Sequence, residues 1–265
     1  MRETDALGRE LDFPAPPRRI VSLVPSWTET LFALGAGDSV VGVTDFCVHP
    51  AARVAPLPHV GGTKNPDRRA IAALAPDLVL ANKEENRERD VARLEAAGLR
   101  VFVTYARTVA GALGELRALG RIVGRTDTAE SLAADVESRL AAPRTAGARP
   151  RAAALVWRDP LMVVGGDTFA GDLLVQAGAE HVFASSPGAR YPRIERVELE
   201  AAAPDVLLLP TEPYAFGERD RREFLELDCP AAKSGRVHVI EGELLSWYGP
   251  RMARALDTLA RLFAG

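Results

Sequence analysis

One short pattern occurs twice in this chain and constrains its fold more than any other feature. Leu74-Ala-Pro-Asp-Leu-Val-Leu80 resembles Ala202-Ala-Pro-Asp-Val-Leu-Leu208. Each copy follows a helical pattern and precedes a polar, acidic stretch. A Pro-Asp turn from helix to strand, placed equivalently in both halves, implies two similar lobes. Length agrees, because 265 residues exceed the usual size of one domain. A cleft between two such lobes is a favoured place for a small ligand.

The rest of the pattern is strand and helix in alternation. Short β-rich apolar runs stand at Ile20–Val24, Val40–Val43, Leu78–Ala81 and Val101–Val103. Between them, Ser26 with Glu29 fits a capping box opening a helix through Leu34. Asn65-Pro66 reads as an N-cap and first helical position for a helix to Leu74, and Arg87–Ala97 forms another ended by Gly98. Buried strands separated by helices imply a parallel sheet covered on both faces. From Thr108 to Leu140 the apolar spacing is helical throughout, with Asp127 as a restart cap. That gives two helices, the second long enough to bridge lobes, and a connector over Pro143–Pro150. Strands then resume at Ala152–Trp157, Leu161–Val164, Val206–Leu209 and Val237–Ile240, with a helix at Phe169–Ala177. Pro250 opens a last amphipathic helix carrying Met252, Leu256, Leu259 and Leu262. The expected class is α/β, two Rossmann-like lobes with parallel sheets joined by one long backbone helix. Its expected ranges are 1–125, 126–150 for the linking helix and connector, and 151–265.

Charge narrows the function. A net charge of -3 argues against nucleic-acid binding, which needs a surplus of Lys and Arg on one face. No run approaches the roughly 20 apolar residues that cross a bilayer, so no membrane insertion is expected. The first residues lack the apolar region of a secretory signal, which reads as cytoplasmic as the sequence stands, or periplasmic or lipoprotein if a leader was removed. Cys47 and Cys229 leave pairing open.

Several stretches resemble a known family. Arg18-Arg-Ile-Val-Ser-Leu-Val-Pro-Ser-Trp-Thr-Glu29 is similar to the opening of the helical-backbone metal receptors, the class III type of solute-binding protein. Agreement continues through Gly42–Pro50, Val60–Asn65, Pro76–Asn86 and Ser246–Arg251, and Asp5-Ala-Leu-Gly-Arg9 resembles the mature start of such proteins. The resemblance covers nearly the whole chain and points to the cobalamin-binding branch. It implies two lobes on a stiff helix that close modestly on cobalamin, cobinamide, haem or a ferric chelate, with no intrinsic cofactor and no catalysis. Phe46 and Tyr191 match aromatic ligand positions, while Thr63 and Asn82 stand where that branch has tryptophan and Ser246 where it has aspartate. The acidic positions that dock such proteins onto an ATP-binding-cassette permease match Arg69 and Val197, an atypical pair, with Glu198 one step away.

Individual residues add candidates. Phe46-Cys47-Val48-His49-Pro50 follows a strand, where ligand loops sit in open parallel sheets. Cys47 and His49 point the same way in an extended segment, and an imidazole at His49 can ligate the metal of a bound chelate. Lys83-Glu84-Glu85-Asn86 lies just past a strand and offers polar contacts, or simply caps the next helix. Trp157, Tyr214, Trp247 and Tyr248 provide faces for stacking on a flat ligand, or they are core. Arg251 pairs with a ligand carboxylate or phosphate, or with a protein acid. Two rivals to an import protein remain: a cytoplasmic sensor or carrier on the same fold, and a hydrolase using Cys47 with His49.

Overall fold

The structure is a computed structural model that describes residues 1–142, 149–185 and 190–264. Most of the expected connector, 143–148, lies outside the described residues. Two compact units form. The first holds Met1–Ala106, Ala110–Ala134 and Tyr248–Pro250, and the second holds Arg107–Val109, Asp135–Trp247 and Arg251–Gly265.

The first unit opens with an antiparallel hairpin that the sequence pattern did not reveal, β1 (Arg2–Thr4) and β2 (Glu10–Asp12). Asp5 in its loop is buried and accepts from the backbone N–H groups of Leu7, Arg9 and Val103 and from the Arg9 guanidinium. β3 (Ile20–Ser22), helix α1 (Pro25–Ala33) and β4 (Val40–Val43) follow. Next come α2 (Ala51–Val54), a two-residue hairpin of β5 (Gly61–Gly62) and β6 (Asn65–Pro66), and α3 (Arg68–Ala73). β7 (Leu78–Asn82), α4 (Glu88–Ala96) and β8 (Val101–Thr104) complete a parallel sheet of order β4-β3-β7-β8. Its strands are buried on both faces, as Val/Ile/Leu runs in a parallel sheet must be. α5 (Val109–Ile122) and α6 (Thr126–Ala141) carry the chain onward, and the unit boundary falls inside α6 after Ala134.

Two expected helix starts are corrected. Val24 rather than Ser26 caps α1, because Pro25 occupies the first helical turn and needs no N–H partner; Ser26 is inside the helix and buried. Asn65-Pro66 is strand, and Asp67 caps α3 by accepting from Arg69 N at 2.9 Å and Ala70 N at 3.1 Å. Asp127 lies in the first turn of α6 rather than before it.

The second unit is built on β9 (Arg151–Trp157), whose far half pairs antiparallel with β10 (Met162–Val163). α7 (Phe169–Gln176), β11 (Glu180–His181), α8 (Arg196–Ala201) and β12 (Val206–Pro210) follow. The chain ends with α9 (Glu218–Phe224), α10 (Pro230–Lys233), β13 (Val237–Ile240), α11 (Glu243–Ser246) and α12 (Arg251–Ala264). β9, β11, β12 and β13 are parallel, so only the β10 edge departs from the expected all-parallel sheet. α12 buries Met252, Leu256, Leu259 and Phe263; the last of these, not Leu262, completes the apolar stripe. The Arg236 guanidinium donates to the free carbonyls of Leu262 and Phe263 at the helix end.

The repeated Pro-Asp turn has one construction in both units. Ala75 and Ala203 take positive φ values, 44° and 43°. The Asp77 carboxylate accepts from Arg18 N and Arg19 N, and Asp205 accepts from Arg151 N at 2.8 Å. Each aspartate's own N–H donates back, to Arg19 O at 2.9 Å and Arg151 O at 2.7 Å. The Arg19 and Arg151 side chains then cap the carbonyls of the preceding helix, Leu74 and Ala75 in one case, Ala202 and Ala203 in the other. The pattern seen twice in sequence is therefore one clamp used twice.

The left-handed alanines give a test. An L-side chain there costs about 1 kcal/mol, which offsets the usual entropic cost of Ala→Gly. Ala75→Gly and Ala203→Gly should each leave the unfolding free energy within about 0.5 kcal/mol of the parent, or raise it, in urea denaturation. A loss near 1 kcal/mol at either position would contradict the strain assignment.

Candidate functional site

Open parallel sheets place ligands at the carboxyl ends of their strands. In the first unit that edge is formed by the loops after β3, β4, β7 and β8. The β4 loop carries Phe46, which is 60% exposed, and His49, which is half-buried. Cys47 between them is buried at 1% exposure. Its sulfur lies 3.1 Å from Thr28 Oγ1, which donates to it, and 3.2 Å from Thr44 Oγ1. Burial pushes the thiol above its ordinary range, against those hydrogen bonds. A protonated, enclosed thiol is neither a ligand contact nor a nucleophile, so the expected place of Cys47 in the site and the Cys/His hydrolase reading are both corrected.

The β7 loop divides the same way. Lys83 is exposed and sits over the Tyr105 ring at 5.1 Å, and Glu84 and Glu85 are half-buried. Asn86, expected to contact ligand, is instead buried and structural. Its amide donates to Thr63 O at 2.9 Å and Leu23 O at 3.3 Å, and its carbonyl accepts from Asn82 N at 2.8 Å. Asn82 in turn bonds Thr104 Oγ1 at 3.1 Å and accepts from Glu84 N at 2.8 Å. Trp27 donates its Nε1 to the same Thr104 hydroxyl at 2.9 Å. Asn82 thus stands beneath the loop, joining the two strand ends rather than reaching a ligand.

Tyr248 belongs to the first unit and stacks on Trp27 with ring centroids 5.5 Å apart at 30°. Its ring is buried in that stack.

The second unit presents Trp157 at the end of β9, 40% exposed. Tyr214 meets it edge-on at 5.5 Å, and Tyr214, Phe216 and Phe224 continue inward as an aromatic ladder with centroids 4.6 Å and 6.3 Å apart. Trp157 Nε1 donates to Asp159 O at 3.0 Å, which fixes the ring. Tyr191 is half-buried with the Arg190 guanidinium 5.8 Å from its centroid. Trp247 is buried and donates its Nε1 to Glu212 at 3.0 Å, and Arg251 pairs with Glu243 at 2.6 Å while lying 4.9 Å over the Trp247 ring. These contacts fasten α11 to α12.

Glu212 carries no local sequence signal of a role in the site. It follows β12, and the register Pro210↔Ile240 brings it beside the segment after β13. Ser246 Oγ donates to its Oε1 at 2.5 Å. Burial pushes the carboxyl above the ordinary carboxylate range, against the Ser246 and Trp247 hydrogen bonds.

A cavity of about 270 Å³ lies elsewhere in the first unit, between the β1 region, β8 and α5, and none of the sequence candidates line it. Glu115 does. Its Oε1 accepts from Tyr105 N at 2.5 Å, its Oε2 is buried without a hydrogen bond, and burial raises its pKa to about 7. Among the described residues no cluster of three or more His, Cys, Asp or Glu is placed to hold a bare metal ion. No helix among them is long and apolar enough to cross a membrane, and Cys47 and Cys229 are free thiols.

Residues 20–242 match the family described as periplasmic binding protein. A cobalamin-binding protein of Halobacterium salinarum is 31% identical over 214 residues, which are 78% of this chain. The match spans 57% of that relative's own length. A vitamin B12-binding protein of Photorhabdus laumondii is 24% identical over 93% of this chain and 88% of its own length. Among solved structures, a periplasmic haem-binding protein of Roseiflexus superposes with a TM-score of 0.80 at 27% identity, covering 93% of this chain and 97% of the other.

The Glu115 geometry predicts a pH dependence with a definite sign. A carboxyl that titrates near 7 folded and 4.5 unfolded gives the native state extra protons between those values. Stability is therefore full below pH 4.5, falls as pH rises through that window and is lost above 7, by about 3 kcal/mol. Glu115→Gln keeps the Tyr105 bond and removes the titration. Denaturation at pH 8 should find it more stable than the parent by roughly 2 kcal/mol, with little difference near pH 5; equal stability at both pH values contradicts the assignment.

Proposed function

The chain belongs to the periplasmic binding protein family, and from that premise we propose that it binds a flat metal chelate or corrinoid and delivers it to an ATP-binding-cassette importer. The observation that carries the reading is the pairing of exposed aromatics with polar loops at the carboxyl ends of both parallel sheets. Phe46 in the first unit and the Trp157–Tyr214 pair in the second offer faces that stack on a planar ring. Lys83, Glu84 and Glu85 on the β7 loop of the first unit, and Tyr191 in the second, offer polar handles for its rim. Recognition of this kind needs no bond making. The sequence relatives bear cobalamin and vitamin B12 in their names and the Roseiflexus structure bears haem, so the ligand class is a tetrapyrrole-like ring with a central metal.

The transport role is part of the same proposal. Arg69 lies exposed on α3 and Val197, 67% exposed, on α8. These helices precede the two copies of the Pro-Asp clamp, so the two positions are equivalent in the repeat. A permease that docks here reads a cation and an apolar side chain rather than a pair of acids. Similarity to periplasmic proteins supports action outside the cytoplasm, free or lipid-anchored.

Calorimetry with cobalamin, cobinamide, ferric haem and a ferric hydroxamate tests the reading. At least one should bind with a dissociation constant of about 10 μM or tighter, and Phe46→Ala and Trp157→Ala should each weaken it roughly tenfold. Failure of all four at about 100 μM defeats the reading.

His49 is the side chain proposed to reach the metal of the bound chelate. His49→Ala should shift the visible absorption bands of the bound complex. Bands unchanged by the substitution remove His49 as an axial ligand.

A further inference from the structure

We infer that Glu212 selects the rim chemistry of the ligand, favouring chelates whose periphery carries neutral hydrogen-bond donors such as carboxamides over those that carry carboxylates. This rests on the binding-protein reading above and adds a specificity determinant to it.

Three features of the second unit converge on Glu212. It stands two residues before Tyr214, at the carboxyl end of β12, beside the aromatic pair proposed to stack on the ring. Both hydrogen bonds that hold it, from Ser246 Oγ at 2.5 Å and Trp247 Nε1 at 3.0 Å, fall on Oε1. Oε2 keeps its acceptor capacity for a donor from outside. The side chain is also fixed in place, because Gly242 packs so closely on it that an added Cβ would overlap the Glu212 Cγ. A fixed, pre-oriented acceptor discriminates better than a mobile one.

The nearby cations are already committed. Arg251 is bound to Glu243, and Arg158 to Asp220 at 2.8 Å and Glu223 at 2.5 Å. A ligand carboxylate arriving here meets an acceptor where it needs a donor, and guanidinium groups already engaged. A carboxamide N–H meets a carboxyl oxygen already held in position to accept it. Attraction for one rim and repulsion of the other act together, which is how specificity is commonly built.

The test uses the full chain and ligands that share one ring and metal. Cobinamide carries a carboxamide rim and cobyrinic acid a carboxylate rim, with ferric haem as a second carboxylate-bearing ring. Calorimetry at pH 7.5 should show cobinamide preferred over cobyrinic acid by at least about tenfold, and over ferric haem in the same direction. Glu212→Gln keeps the bonds from Ser246 and Trp247 and should shrink the cobinamide preference about tenfold, weakening cobinamide and strengthening cobyrinic acid. If circular dichroism shows that variant unfolded, Glu212→Asp is read in its place and should reduce the preference too, because the shortened side chain withdraws the carboxylate. A preference for either carboxylate ring, or a ratio unmoved by substitution, overturns the role of Glu212 while the binding reading stands. Absence of binding by all three rings, with cobalamin and the ferric hydroxamate silent as well, overturns both.

Discussion

The clamp between an arginine at the start of one strand and an aspartate at the start of its neighbour is the interaction on which the rest of each unit depends. Arg19 and Asp77 exchange backbone and side-chain hydrogen bonds immediately before the pair Ile20↔Leu78, and Arg151 and Asp205 do so immediately before Ala152↔Val206. A parallel pair whose faces are both buried has little polar patterning to set its register, and a slip of one residue turns every side chain over. Hydrogen bonds to a charged carboxylate supply the missing reference point. Once register is fixed at the amino ends of the strands, the positions of the loops at their carboxyl ends follow.

Those loops show a consistent division between what fastens and what faces outward. In the first unit Cys47, Asn82, Asn86 and Tyr248 are consumed in packing and hydrogen bonds, which leaves Phe46, His49 and Lys83 accessible on loops that are themselves anchored. In the second unit Trp247, Arg251 and Ser246 hold Glu212 and join α11 to α12, while Trp157 and Tyr214 present their rings. Binding costs less when contact residues are held before the ligand arrives.

Much of the architecture was legible in sequence because its signals are local. β-Branched runs bounded by glycine and proline marked the strands, and the Pro-Asp repeat marked the duplication. The misses have local causes too. Asn65-Pro66 has the right types for a helix start, yet Asp67 is the better placed acceptor and the preceding glycines close a hairpin instead. Ser26 has the right type for a cap, yet Pro25 at the first turn moves the helix start ahead of it. Burial of Cys47, Trp247 and Tyr248 depends on partners distant in sequence, so the residue types carried no sign of it. Glu212 was invisible for the same reason: its importance arises only when β12 and β13 pair and set it beside Ser246.

Under the proposed function, ligand is held by the strand-end loops and not by the Glu115 cavity. Hydrogen exchange of the chain with and without cobinamide tests it most directly. Slowed exchange is expected in peptides covering residues 44–49, 83–86, 157–159 and 211–214, with no change around residues 111–121. Protection confined to the 111–121 helix and the β1 strand, with the strand-end loops unaffected, would contradict it.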